Sequence, residues 1–487
     1  MDPAQEIELN ALARQKPMND VIDRFDSNVQ QFYQGVTIFM TGGSGFIGKQ
    51  LIEKLFRSCA VKKIFLLIRF KKSMTIQDRL NKILKDPVYD GLRKKQPQFY
   101  ERIVPVEGDI TNIRLGLCDK DWITLTEEVN IIFHVAATVN FEEPLRKATL
   151  TNIRGTREAL DLAKSCNNLI KFVHVSTAFS FATKDRINKD VEEKFYTCPV
   201  PPATMISLAE SAEESRLDNI TKELIEGWPN TYTFTKCIAE ELIRTTAENL
   251  PICIVRPAIV LPAYYEPAPG WLDISTLAGA SGIYLGAGLG VLRVFWTDVN
   301  SYLSVAPVDY VNNAIIAAAW DSTERKKNGE TDIPVYTLAK DLKFGFIGIV
   351  SRREKRKLST PKSIWRSQLL EVNSKILYVI LAWLLHYIPA YILDFTCFVT
   401  GKKPKIISSF VDLYRKIDKL TEVYVYFTTN TFKFKDDNVK NMIKRMNDAD
   451  RAIYNCNLDQ IDLEDYILVW GQLDDRVEYK QLPTILT

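Results

Sequence analysis

From Gly35 to Arg256 the chain repeats one pattern: a short apolar run rich in β-branched residues, then a longer amphipathic stretch. The runs are VTIFM, KKIFLLI, RIVPVEG, NIIFHVA, IKFVHVS and ICIVRP. Alternation of this kind leaves few folds open: the runs are strands of a parallel sheet and the stretches between are helices crossing its two faces. Each run is apolar throughout, as a strand covered on both sides must be. At 487 residues the chain exceeds the roughly 250–300 residues that one core ordinarily holds. The character shifts at SRREKRKLSTPKS, which begins at Ser351 and is basic and helix-breaking; an apolar stretch and a charged, mostly helical tail follow. The expectation is an N-terminal extension over 1–34, an α/β Rossmann-type domain over 35–350, and a smaller, mostly α-helical domain over 351–487.

A formal net charge of +3 with 25% charged residues gives no reason to invoke nucleic acid. The eight cysteines occur singly, with no CxxC pair and no Cys/His cluster of metal-ligand spacing. A reducing compartment and no bound metal are expected, and the Asn219-Ile220-Thr221 sequon is a chance match. The N-terminus is polar and acidic where a signal peptide needs a basic start and an apolar run, so the first domain is placed in the cytosol. Ile376–Val399 is mostly apolar and about long enough to cross a bilayer, yet it holds His386, Pro389 and Asp394. A buried or interfacial helix pair broken at Pro389 is preferred over a span. The sequence assigns no oligomeric state.

Thr41-Gly42-Gly43-Ser44-Gly45-Phe46-Ile47-Gly48 joins the first strand to a helix. Glycines there allow a tight turn, close approach to a pyrophosphate and tight helix–strand packing, while the helix N-terminus offers amide donors. An ordinary tight turn is the alternative; the strand–loop–helix context favours a dinucleotide. About 20 residues on, an NAD enzyme places an acidic residue for the ribose 2′-hydroxyl. This chain has Arg69, Lys71 and Lys72, cations suited to a 2′-phosphate, so NADPH is expected, with Arg69 and Lys72 as its contacts. Asp109, beside Ile110 in EGDI, is placed to accept from the adenine amino group or to cap a helix. Ala136 and Ala137, small residues at the end of the fourth strand, leave room for ribose and nicotinamide. His134 reads as a satisfied core histidine.

Tyr232 and Lys236 stand four apart in the helix-like NTYTFTKCIAEELI, hence on one face. A nearby ammonium lowers a phenol's pKa and makes it a better proton donor, and Lys236 can hold ribose hydroxyls as well. Tyr336 and Lys340 share the spacing but read as strand, where residues four apart lie too far separated to cooperate. In VHVSTAF, at the end of the preceding strand, a hydroxyl can stabilise an oxyanion. Alternation favours Thr177 over Ser176 for that task.

Together TGGSGFIGK, GDI, HVAATVNF, VHVSTAF, NTYTFTK and VRPAIV resemble an extended short-chain dehydrogenase. A finer resemblance, from about Asn28 to Tyr466, is to the alcohol-forming fatty acyl-CoA reductases. QFYQGVTIFMTGGSGFIGK, IFLLIRFKK, NTYTFTKCIAEELI, PGWLDISTLAGASGIYLGAGLGVLR and APVDYVNNAI are similar to their Rossmann-type domain. HYIPAYILDFTCFVTGKKPK and NLDQIDLEDYI are similar to their helical domain. The resemblance implies that Gly42, Gly45 and Gly48 cradle NADPH and that Thr177, Tyr232 and Lys236 are catalytic. It implies a long-chain acyl-CoA substrate reduced twice to a fatty alcohol. A membrane surface is the expected partner, on the cytosolic face of the endoplasmic reticulum, with peroxisome or lipid droplet as alternatives. The chain departs from the family at Asp273-Ile274, at Leu303-Ser304 before the PVD element, and in its polar ending LDDRVEYKQLPTILT.

Two segments bear on the substrate. The insertion between Thr177 and Tyr232 reads as a lid or pocket wall. PGWLDISTLAGASGIYLGAGLGVLRVFW, rich in glycine and large apolar residues, reads as a greasy tunnel or a core-covering loop. A sugar-nucleotide epimerase or dehydratase, or a sterol dehydrogenase, has no use for the helical C-terminal domain. A scaffold that binds NADPH without turnover does not need the intact catalytic set.

Overall fold

The computed structural model describes residues 3–247, 249–274, 279–353, 368–401 and 409–471. Seven parallel strands form the central sheet: β1 (Thr37–Thr41), β2 (Lys63–Ile68), β3 (Ile103–Glu107), β4 (Ile131–His134), β5 (Lys171–Val175), β7 (Ile252–Pro257) and β11 (Val335–Leu338). Their order is β11-β7-β5-β4-β1-β2-β3. The six apolar runs supply six of these strands, and β1, β4, β5 and β7 are buried at every position. Strand order reverses between β1 and β4, which opens a crevice at the carboxyl ends where α/β sheets bind ligands. The helix Phe46–Ser58 follows β1, and Thr231–Thr246 precedes β7.

Three smaller sheets tie later segments to this frame. The strands β8 (Ile259–Leu261), β10 (Tyr302–Pro307) and β12 (Lys340–Lys343) form one. In the second, β13 (Leu370–Val372) runs parallel to β9 (Val294–Trp296). In the third, β14 (Lys433–Phe434) runs parallel to β6 (Asp190–Val191). Residues beyond 351 therefore extend sheets begun before it. A buried ion cluster does similar work: the Lys54 ammonium pairs with Glu266 at 2.7 Å and donates to the Ile453 carbonyl at 2.7 Å.

The apolar stretch is not a broken pair of helices. It is one continuous helix, Lys375–Thr400, containing a π-type turn over Trp383–Tyr387. Pro389 lacks an N–H and its ring crowds the carbonyl four residues back, so the widened turn just ahead of it accommodates the ring without ending the helix. Of the insertion after Thr177, Phe179 lines the catalytic cavity but the helical part does not. Its helices Pro202–Ser211 and Glu214–Leu224 pack on the outside of Leu145–Arg154, held by Arg146 to the Ala212 carbonyl (3.1 Å) and Arg154 to Glu210 (3.1 Å). The polar C-terminal segment, and most of the basic link after Ser351, lie outside the described residues.

Candidate active site

A single cavity of about 1760 Å³ occupies the crevice, well above the roughly 300–1,000 Å³ of ordinary small-molecule pockets. At one end lies the glycine loop. Gly42 has φ +77°, and a Cβ there would stand 2.6 Å from the Ala136 nitrogen; one on Gly48 would stand 2.3 Å from the Gly42 carbonyl oxygen. Gly45 caps the helix Phe46–Ser58 without a side chain, which leaves the first-turn amides facing the cavity. Gly42, Gly45, Phe46, Ile47, Gly48, Ile110, Ala136 and Ala137 all line it. These features fit a dinucleotide pyrophosphate, because the space and donors it needs exist only where side chains are missing.

Four expected cofactor contacts do not line the cavity. Thr41 is buried in a chain of bonds: its Oγ accepts from the Ala136 amide at 3.2 Å and meets His134 Nδ1 at 3.0 Å. His134 Nε2 meets Thr156 Oγ at 3.1 Å, and that hydroxyl donates to the Asn152 carbonyl at 2.7 Å. His134 is thus a satisfied core residue, its pKa pushed down to about 3 by burial and the Lys236 charge. The Cβ direction of Gly43 points at Leu66. Asp109 accepts from the Thr111 amide (2.9 Å) and hydroxyl (2.8 Å), closing its own turn. Lys72 is exposed beyond the rim. The cation joining Arg69 on the wall is instead Arg79, which donates to the Arg69 carbonyl. It comes from the following helix, so motif spacing alone gave no sign of it.

Thr177, Tyr232 and Lys236 converge on the cavity past the end of β5. Thr177 is 4% exposed and accepts from the Phe179 amide at 3.2 Å, which turns the chain and sets its hydroxyl beside the Tyr232 phenol. Ser176 also lines the cavity, but its hydroxyl donates to Glu240. Burial pushes the Tyr232 phenol up to about 12, opposed by the Thr177 hydroxyl. Burial brings Lys236 down to about 8, opposed by Glu240. The Lys236 ammonium donates to the Val175 carbonyl at 2.7 Å; it does not act on the phenol as the spacing predicts. The Tyr336 hydroxyl donates to Asp321 at 2.6 Å and Lys340 pairs with Asp459 at 3.3 Å, so that pair is structural.

Three supports escaped sequence reading. Phe141 stacks on Tyr232 (centroids 5.9 Å apart, 20° between planes) and abuts Phe427 of the helix Phe410–Thr429. Asn152 accepts from the Thr138 amide (3.0 Å) and donates to Thr235 (3.0 Å), tying the loop after β4 to the Tyr232 helix. Glu240, fully buried, accepts from Arg256 at 2.5 Å, and Arg256 also donates to the carbonyls of Glu192 (3.2 Å) and Lys194 (2.9 Å). These partners lie far apart in sequence, and an unpaired Arg or Glu in a strand or helix carries no address.

Beyond Tyr232 the cavity turns apolar. The greasy segment divides its labour: Ala280, Ile283, Tyr284 and Ala287 line the wall, while Trp271 packs on Phe46 at 5.3 Å and Asp273 pairs with Lys49 at 2.9 Å, bracing the glycine-loop helix. Leu285 to Gly290 leads to Arg293, and Phe344, Leu369, Leu385 and Trp470 form the apolar part of the far wall, beside Arg352, Gln368 and Glu371.

A Rossmann-type sheet with this cradle and this Thr-Tyr-Lys set defines an oxidoreductase that uses a nicotinamide cofactor. The comparisons are narrower. Residues 40–315 match a family described as male sterility protein, and residues 385–470 match a second model of the same description. The chain is 37% identical to the Drosophila melanogaster protein named fatty acyl-CoA reductase wat, over 91% of its own length and 84% of the relative's. It is 32% identical to human fatty acyl-CoA reductase 1, over 90% and 84%. It shares its fold with the reductase domain of a non-ribosomal peptide synthetase from Mycobacterium tuberculosis (TM-score 0.57, 14% identity, 94% and 98% of the two chains). The terminal R domain of the myxalamid pathway is similar (TM-score 0.55, 19% identity, 88% and 90%). The chain belongs to the fatty acyl-CoA reductase family.

Proposed function

We propose that the chain reduces a long-chain acyl-CoA thioester to a fatty alcohol with NADPH, through an aldehyde that stays in the cavity. The observation that carries this reading is the undivided cavity: a dinucleotide cradle, the Thr177–Tyr232–Lys236 set and an apolar chamber share one space. A sugar-nucleotide enzyme has no use for the last of these. The Arg69 and Arg79 guanidiniums support NADPH over NADH, since two cations at the end of β2 suit a 2′-phosphate and no carboxylate stands there on the wall for a 2′-hydroxyl.

When bound, NADPH supplies the hydride. Thr177 donates to the thioester oxygen as negative charge develops on it, and Tyr232 gives that oxygen its proton. The resulting hemithioacetal breaks its C–S bond as its hydroxyl proton passes to the departing sulfur, which releases CoA thiol and leaves an aldehyde. The same oxygen, now the aldehyde's, stays between Thr177 and Tyr232, and a second hydride with a second proton from Tyr232 gives the alcohol. Lys236, its ammonium anchored on the Val175 carbonyl, would hold the nicotinamide ribose hydroxyls through both steps. The apolar exposed helix Lys375–Thr400 supports a place on a membrane.

The test is NADPH oxidation with acyl-CoAs of increasing chain length, products identified by mass. Long-chain-dependent turnover to alcohol is expected, with Tyr232→Phe reducing kcat by about 10²–10⁴-fold, the usual worth of a general acid. No oxidation with any acyl-CoA, despite NADPH binding, rejects the reading. Arg69→Ala with Arg79→Ala is expected to raise KM for NADPH at least tenfold and leave KM for NADH unchanged; equal effects on both reject the 2′-phosphate assignment.

A further inference from the structure

Of the 24 large apolar side chains exposed among the described residues, 12 lie on the single helix Lys375–Thr400, so this patch, unlike the scattered remainder, requires a partner. Ile376, Ile380, Leu384, Ile392, Phe395 and Phe398 are each more than half exposed. The opposite stripe, Tyr378, Ala382, His386 and Ala390, is buried against the protein, at the four-residue spacing of one helix face.

That stripe is bonded along nearly its whole length. The Tyr378 and Tyr387 hydroxyls donate to the two oxygens of Asp418 at 2.7 and 2.5 Å. His386 Nε2 accepts from the Arg293 and Val294 amides at 3.0 and 3.3 Å. Asp394 accepts from the Ser409 hydroxyl at 2.7 Å and the Phe410 and Val411 amides at 2.9 and 3.1 Å. The helix it lies against, Phe410–Thr429, carries exposed Arg415 and Lys419. To cross a bilayer, Lys375–Thr400 has to break these bonds or drag charged neighbours into hydrocarbon, at several kcal/mol per charge. Lying in the surface costs neither.

The occupant of the exposed face is a lipid leaflet rather than a protein. The patch runs the length of 26 residues, about 39 Å. Trp383 and Tyr391 sit on it as amphipathic rings do at headgroup level. Cations flank it, Lys375 at its start and Arg415, Lys416 and Lys419 on the neighbouring helix, complementary to anionic headgroups. The same helix walls the cavity through Leu385, and Leu370 beside it both lines the cavity and is 46% exposed, so the chamber reaches the surface next to the patch.

We infer that Lys375–Thr400 is an in-plane anchor sunk in one leaflet, and that the chamber opens beside it at Leu370, so that acyl chains pass between leaflet and active site without crossing water. The anchor stands on the surface alone; the acyl route rests on the proposed function.

The full chain is added to sealed phosphatidylcholine vesicles with and without phosphatidylserine. Flotation is expected, stronger with phosphatidylserine, and weakened at least tenfold by Phe395→Ser with Phe398→Ser while NADPH binding is kept. Lys375→Cys and Thr400→Cys are each expected to react with an impermeant maleimide from outside, above the parent's background. One end protected until the vesicles are opened shows a span and overturns the anchor. Variants that abolish self-association but not flotation assign the face to a second copy and also overturn it, as does flotation unchanged by the double substitution. For the route, the double variant is expected to lose at least fivefold in turnover of vesicle-borne long-chain acyl-CoA and nothing with a soluble short-chain one. Equal loss on both, or no loss, overturns the route. No turnover with any acyl-CoA fails the functional reading while the flotation and labelling results stand.

Discussion

Tyr232 and Lys236 are held so that one keeps its proton and the other titrates. With the phenol up at about 12, Tyr232 stays protonated across the physiological range and serves as donor. With Lys236 down at about 8, its charge is lost as pH rises through that value, and activity is expected to fall there. Lys236 binds its proton less well folded than unfolded, so between pH 8 and its ordinary 10.5 the unfolded chain holds more protons, and this residue's penalty is relieved as pH rises. Glu240 opposes the depression, being one turn along the same helix. Glu240→Gln is therefore expected to move the falling limb of kcat/KM to lower pH, and to cost about 3–5 kcal/mol by urea denaturation, since it leaves Arg256 buried without its counter-charge. A limb that stays in place rejects the role of Glu240 in holding the Lys236 charge. Legibility at this scale follows locality. Thr177, Tyr232, Lys236 and the glycines lie in short motifs whose spacing has a chemical meaning. Phe141, Asn152, Arg79 and the Glu240–Arg256 pair acquire theirs only when distant segments meet.

At the scale of elements, the strands were readable because burial on both faces writes itself as unbroken apolar runs. The helix Phe46–Ser58 was readable because its glycine loop states the turn. What remained hidden are contacts that override local signals: Pro389, a usual helix end, is absorbed by a π-type turn because His386 and Asp394 are pinned on either side of it. The helices of the insertion after Thr177 fold outside the catalytic cavity, because length beside a catalytic residue says nothing of which side the loop leaves on. The glycine loop allows a sharper test. Gly48→Ala puts a methyl 2.3 Å from the Gly42 carbonyl oxygen and 2.5 Å from the Gly43 Cα, both backbone atoms that cannot swing aside. The helix has to back away from β1, at an expected cost of about 1–3 kcal/mol, and NADPH affinity by fluorescence titration is expected to drop more than tenfold. Unchanged affinity shows that the cradle lies elsewhere.

For the whole molecule, residues beyond 351 complete the site. Tyr232 stacks on Phe141, Phe141 abuts Tyr424 at 5.5 Å, and Tyr424 lies against Gly279 at the head of the helix Ala280–Gly288. Along that helix Tyr284 stacks on Trp470 at 4.4 Å and 18°, and both rings line the cavity. The chain of contacts thus runs from Tyr232 to the distal wall, alternating between segments on either side of 351, so a sequence read in linear order offers the Ala280–Gly288 side of the wall and not the Trp470 side. Trp470 is the largest side chain at that end, and its ring is expected to limit how much acyl chain the chamber holds. Trp470→Ala is expected to shift the preferred chain length upward. A short acyl-CoA that fills the chamber against the indole loses that contact, worth about 1–3 kcal/mol in kcat/KM or roughly 10–200-fold, while a longer one gains the vacated space. Because Tyr232 and Lys236 are untouched, NADPH affinity and the pH limb near 8 are expected to be those of the parent. Competition between acyl-CoAs of different length, scored by the alcohols formed, reads the shift. A uniform loss across all lengths means that Trp470 braces the fold and the chamber is measured by some other part of its wall.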